Sequence, residues 1–266
     1  MDWRKAQTLN RSTALHNSSS HSLFRVHMNL KKRWILLGSV VILLGVLSIP
    51  EIVHTNEGAS LSEGSVRQGK LHNGWLMPFE GENFHYFSRF SYYILNNAYV
   101  NSSVYKTLTD AYTTCASTCP GKEFILMECT RKNGGQMLFH WTHQNGTSVD
   151  FMVPTTRKDE KKTWTTRWGL LHYLLQFNQD GQLTINHKTT IDFETMAKHI
   201  LALDDAAHQN GLKIYKILFN TNMLDELYAT PSGKELQQRD IRIIPHLSNL
   251  VNRYHDDHYH VDFDIE

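Results

Sequence analysis

Cysteine, net charge and long apolar stretches are all scarce in this chain of 266 residues. The three cysteines, Cys115, Cys119 and Cys129, include one Cys-x-x-x-Cys pair and no second pair, which argues against a cysteine-built zinc site. In an exported chain they are expected to form one disulfide and leave one thiol. Net charge is only +1, but seven of the 27 Lys/Arg and one of the 26 Asp/Glu fall in residues 1–33. The remainder carries 20 basic and 25 acidic side chains, so it lacks the basic excess of a nucleic-acid-binding body. No internal repeat is present.

A single long uncharged run stands out. Trp34 to Ile49 follows Lys31-Lys32-Arg33 directly and is closed by Pro50. As a helix these residues span about 24 Å, a little short of a bilayer core. Two readings stand: a transmembrane signal anchor over 34–50 with the basic tail 1–33 held inside, or a cleaved signal peptide. Met28 opens a more ordinary leader and is an alternative start. Either reading exports the rest of the chain. Residues 1–27 are polar and read as disordered, and 51–73 read as a linker to a globular body over 74–266. Asn101-Ser-Ser and Asn145-Gly-Thr match the glycosylation acceptor pattern.

The body reads as α+β. A helix is expected from Val104 to about Ala116, ended before Pro120-Gly121, and an apolar strand over Glu123–Cys129. Asp192 caps a helix whose apolar residues from Phe193 to Ala207 recur at helical spacing, and Asn210-Gly211 stops it. A strand over Leu212–Phe219, a short helix over Met223–Tyr228 and a strand over His258–Asp264 complete the pattern.

Two histidine-rich segments carry the chemistry. The first runs His140-Trp-Thr-His143-Gln-Asn-Gly146-Thr-Ser-Val-Asp150, the second His255-Asp-Asp-His258-Tyr-His260-Val. Imidazole and carboxylate are zinc ligands, and a catalytic zinc wants three of them plus a water. His143 and Asp150 are too far apart to share a metal on a helix and face opposite ways on an unbroken strand, so the chain must reverse between them. Asn145-Gly146 is placed to turn it. Beyond the turn, Ser148, Asp150 and Met152 share a face, while Val149, Phe151 and Val153 take the core side. His258, His260, Asp262 and Asp264 share a face in the same way, and Asp256, Asp257 and Asp262 are placed to orient ring nitrogens. The remaining histidines, His199 and His208 foremost and then His85, His172, His187 and His246, are expected at the surface or hydrogen-bonded.

The His143-x-x-Gly146-x-x-x-Asp150 spacing resembles the signature of the LAS peptidases, the lysostaphin and D-Ala-D-Ala metallopeptidase group. Taken with His255-x-x-His258-x-His260, it is most like the penicillin-insensitive murein endopeptidase family, over roughly residues 130–263. Lys216-Ile-Leu-Phe-Asn220 resembles the strand that precedes the final motif there. The resemblance implies a small antiparallel sheet with flanking helices, and Zn2+ held by His143, Asp150 and His260. It implies catalytic roles for His258 and His255, with His140 lining the site. It also implies hydrolysis of peptidoglycan cross-links by a metal-activated water, in a periplasmic domain anchored to the inner membrane by the N-terminal helix or secreted. A DD-carboxypeptidase and a non-catalytic wall-binding module are the alternatives. Ser148, the bulky Trp141 and the small cysteine count depart from the pattern. The segment from Pro154 to Ile191 matches nothing in it.

Overall fold

The computed structural model describes residues 30–138, 140–157 and 168–265; the side chains of 46–49 lie outside that set. The polar segment 1–27, Met28, and the tryptophan and lysines of 158–167 also fall outside it. The chain divides into two compact units, 1–44 and 45–266. Of the first unit, the described residues open helix α1 (Leu30–Val53), which runs through Pro50 rather than stopping before it. Among the described residues no helix is long and apolar enough to cross a membrane.

In the second unit, the stretch expected as a linker carries a hairpin, β1 (Leu61–Ser65) and β2 (Gln68–His72), whose Leu71 is buried in the core. There follow β3 (Trp75–Leu76), β4 (Phe84–Tyr86), β5 (Tyr99–Val100), α2 (Ser102–Thr118), β6 (Phe124–Leu126), β7 (Ser148–Met152), β8 (Thr155–Arg157) and β9 (Thr189–Ile191). Then come α3 (Phe193–Gln209), β10 (Leu212–Leu218), α4 (Leu224–Ala229), α5 (Pro231–Gln238), α6 (Asn249–Arg253) and β11 (His258–Ile265). The central sheet has five strands in the order β10-β11-β7-β6-β4. It is mixed rather than antiparallel, because β4 joins β6 in parallel at one edge.

Local chemistry explains the helices. Asn101 caps α2 by accepting from the Ser103 amide at 2.9 Å, and Asp192 caps α3 by accepting from Thr195 N at 3.0 Å. Both glycosylation sequons are therefore spoken for, since Asn101 and Asn145 are buried in a cap and a turn. The three cysteines are buried free thiols, so the expected disulfide is not formed. Cys115 and Cys119 sit one helical turn apart at the end of α2, where the Cys119 amide donates to the Cys115 carbonyl at 2.9 Å.

The apolar sides of β7 and β11, including Phe151 and Tyr259, pack beneath α3, while their other side holds the histidines. His199 is hydrogen-bonded, as one arm of the expectation has it, but it lies in this layer at 0% exposure rather than at the surface. Its Nδ1 lies 2.5 Å from the Tyr259 hydroxyl, and its ring stacks on Phe124 at 4.7 Å. His172 is likewise buried, whereas His208 is exposed at the end of α3.

Burial pushes the His199 imidazolium down to about 3, so the folded protein keeps this ring neutral. The unfolded chain takes up a proton there below about pH 6.5. Stability from this group is thus complete above that pH and falls as pH drops toward 3, by about 1.4 kcal/mol per pH unit. Urea unfolding at pH 7.5, 6.5 and 5.5 checks it: His199→Phe should lose about 1 kcal/mol at pH 7.5 with the hydrogen bond, yet decline less steeply in acid. Parallel pH profiles for the two proteins would show that His199 is not held neutral.

Candidate metal centre

The turn that the first histidine segment requires is present. Gly146 has φ +84°, and a Cβ there would sit 2.7 Å from Leu71 Cδ1, so the turn needs glycine twice over. His143 itself has φ +64°, an uncommon left-handed backbone for a non-glycine residue. These bends bring His143 back over β7, where Asp150 points out of the sheet.

β11 lies antiparallel beside β7 in a register that sets His260 opposite Asp150 and Asp262 opposite Ser148. Paired residues on adjacent strands share a face. His260 Nδ1 accordingly meets Asp150 Oδ1 at 2.7 Å, and the Ser148 hydroxyl donates to Asp262 Oδ1 at 2.5 Å. His260 Nε2 meets Asp262 Oδ1 at 2.7 Å, and Lys216 Nζ reaches Asp262 Oδ2 at 2.8 Å. Asp262 thus fixes the ring, and Lys216 on β10 fixes Asp262.

All six residues singled out in the two segments come together. The ring centroids form a closed circuit: His140 to His143 5.1 Å, His143 to His260 4.7 Å, His260 to His255 6.4 Å and His255 to His258 4.9 Å. Tyr173 closes it, 5.9 Å from His258 and 6.3 Å from His140. Asp150 faces three members, with His143 Nε2 at 3.2 Å and His140 Nδ1 at 3.9 Å besides His260. His258 Nδ1 lies 2.7 Å from Asp257 Oδ1, and His255 Nδ1 2.7 Å from the Val251 carbonyl.

Tyr173 carries no sequence signal. It sits in a short 3-10 helix, Gly169–Leu174, inside the segment that matched no pattern. Trp141, the bulky residue between two histidines, is 75% exposed and leaves the circuit's interior to the imidazoles.

The electrostatics are those of a buried cluster. Burial pushes Asp150 up, but the neighbouring His143 ring at 3.2 Å and the hydrogen bond from His260 outweigh it and hold the carboxyl well below its usual range. Burial works against a charged His260 as well. Asp262 and Asp150 overcome it and raise the imidazolium to about 10. Burial brings His140 down to about 4 and His255 down to about 3, so both are neutral. His258 moves upward despite burial because of Asp257. Beneath the cluster, Glu128 is lifted to about 7 by burial and accepts from Ser91 Oγ at 2.9 Å.

His140, His143 and Asp150 form a group whose ligand atoms lie within 4.8 Å of one another and which is able to hold a metal ion. Two imidazoles and a carboxylate suit zinc and similar borderline ions. The buried His143 supplies an independent sign of fit. It is 1% exposed, and neither of its ring nitrogens has an aligned hydrogen-bond partner, which costs free energy unless something else satisfies them.

Ion binding should raise the unfolding temperature. At a hundredfold excess over Kd the gain is about 2.7 kcal/mol, or roughly 5–10 °C for a body of this size. Zn2+ or Co2+ should produce it in the wild type and not in His143→Ala or Asp150→Ala, measured by calorimetry; an unshifted wild type would exclude a metal centre. In comparisons with known proteins, no family model and no curated protein sequence matches this chain.

Proposed function

We propose that the chain is a zinc-dependent peptidase of the cell envelope that hydrolyses peptide cross-links of peptidoglycan. The observation that carries the metal half of this reading is the buried Asp150 carboxylate within a circuit of five imidazoles drawn from two distant segments. The substrate half rests on the motif spacing, which resembles that of the LAS peptidases. The uncharged run behind Lys31-Lys32-Arg33 supports export, as an anchor or as a signal peptide.

His143, Asp150 and His260 are the proposed ligands. His260 is preferred to His140 as the third because Asp262 already holds its Nε2 and turns Nδ1 toward Asp150, the arrangement that fixes the tautomer of a ligating histidine. Zinc bound there supplies Lewis acidity toward a carbonyl and lowers the pKa of water. The other residues handle protons and position. Asp257 occupies His258 Nδ1, which leaves Nε2 to exchange a proton with the reacting groups. His255 donates from Nδ1 to the Val251 carbonyl, so its Nε2 carries a lone pair and accepts. His140 and Tyr173 line the opposite side of the circuit, where the tyrosine hydroxyl is a hydrogen-bond donor.

The reading is tested with sacculi and purified cross-linked muropeptide dimers, with and without chelator, and products read by mass. Dimers should become monomers only without chelator. Release of a terminal D-alanine alone would make the protein a carboxypeptidase, and no cleavage by a zinc-loaded chain would reject the peptidoglycan substrate. His258→Ala should keep zinc and lose turnover, whereas His260→Ala should lose both.

A sharper prediction concerns Asp262. Asp262→Asn should weaken zinc binding about 10–100-fold, read by competition with a chromogenic chelator, while His140→Ala keeps one zinc per chain. The reverse pattern would make His140 the third ligand.

A further inference from the structure

Beside the histidine circuit lies a separate cavity of about 260 Å³, lined by Asn220, Asn222, Asn249, Asn252, Arg253 and Asp256. It is tied to the circuit through the backbone, since Asn220 N donates to the His255 carbonyl at 3.0 Å and Asp256 follows His255 directly. Its volume is just below the range of about 300–1,000 Å³ typical of small-molecule sites, which suits a group the size of an amino acid.

The polar atoms divide into committed and available ones. Asn252 is committed: its Oδ1 accepts from Thr221 N at 2.8 Å and its Nδ2 donates to Thr221 Oγ1 at 2.9 Å, holding α6 against the turn after β10. Asn220 spends its Oδ1 on the Asn222 amide at 3.0 Å. Among the described residues, Asn220 Nδ2, the side-chain amides of Asn222 and Asn249, and the Arg253 guanidinium have no hydrogen bond or ion pair. Asp256 is 6% exposed, is lifted to about 7 by burial, and among the described residues accepts only a long bond, 3.3 Å, from Phe177 N. The lining therefore includes an exposed guanidinium and a buried carboxyl. The two make no ion pair with each other, and free amides lie around them.

A pocket lined by a basic and an acidic group that do not pair with each other complements a ligand that carries both charges. We infer that this cavity binds the zwitterionic end of an amino acid, its carboxylate on Arg253 and its ammonium on Asp256, with the amides of Asn222 and Asn249 on the remaining oxygens and protons. Arginine matches a carboxylate through paired donors, and a buried carboxylate gains most from an ammonium partner. The inference deepens the peptidase reading and rests on it only for the meaning of the ligand. A peptide with a free α-amino-carboxylate centre near the bond to be cut would seat that centre beside His255.

Binding is measured without catalysis. The full chain is titrated with alanine, N-acetylalanine and alaninamide, which carry both charges, only the anion and only the cation, and the side-chain amide resonances of the asparagines are followed by NMR. Alanine should bind in the millimolar range, and each blocked form at least tenfold more weakly. Arg253→Gln, a change at an exposed residue, should cost alanine at least tenfold and leave alaninamide unaltered. Asp256→Asn should likewise cost alanine at least tenfold and leave N-acetylalanine unaltered. The proposal fails if alanine binds no better than the blocked forms, if none of the three binds, or if Arg253→Gln retains wild-type affinity for alanine. A chain that binds alanine selectively but cleaves no muropeptide would sink the peptidase reading and leave the pocket. Cleavage without that selectivity would do the opposite.

Discussion

The pairing of β7 with β11 is the constraint on which the site depends. Three successive cross-strand pairs, Met152 with His258, Asp150 with His260 and Ser148 with Asp262, present their side chains on one face. A slip of one residue would turn every histidine into the core and every apolar partner out of it. That cost is high because Phe151, Tyr259, Val149 and Val261 are all fully buried on the other face. The register that packs the core is the same register that sets carboxylate against imidazole.

Much of that face was legible in the chain. Alternation assigned Asp150, His258 and His260 to the polar side, and Asn145-Gly146 marked the reversal; the structure has both. Helix α3 was legible from its cap and period, but His199 was not. It falls on a side of the helix that looks polar in sequence, yet that side is covered by the sheet and by α2. Period alone cannot tell a solvent face from a second buried one. The parallel edge strand, Phe84–Tyr86, is too short for a period-2 signal, and hairpin 61–72 escapes because Leu71 is nearly its only core residue. Tyr173 was out of reach for another reason. Only the fold brings its 3-10 turn to the histidines.

The charge arrangement has a direction. Lys216 holds Asp262, Asp262 holds His260, and His260 meets Asp150, so a cation at the sheet's outer side is connected through two carboxylates to the middle of the circuit. On the other flank Asp257 holds His258, and among the described residues no cation stands behind it and its second oxygen has no partner. Removing one member of a buried pair leaves an uncompensated charge. The first flank is therefore a rigid support, and the second keeps its capacity to rearrange.

β7 and β11 are neighbours in space but are separated by more than a hundred residues of chain, with α3 and β10 formed between them. Pairings that distant are entropically late, because a long loop must close before any contact rewards it. Neither histidine segment can assemble the circuit alone. The complete circuit thus arises only with the closing of the sheet's centre, whereas the His140, His143 and Asp150 group is drawn from a single stretch of eleven residues.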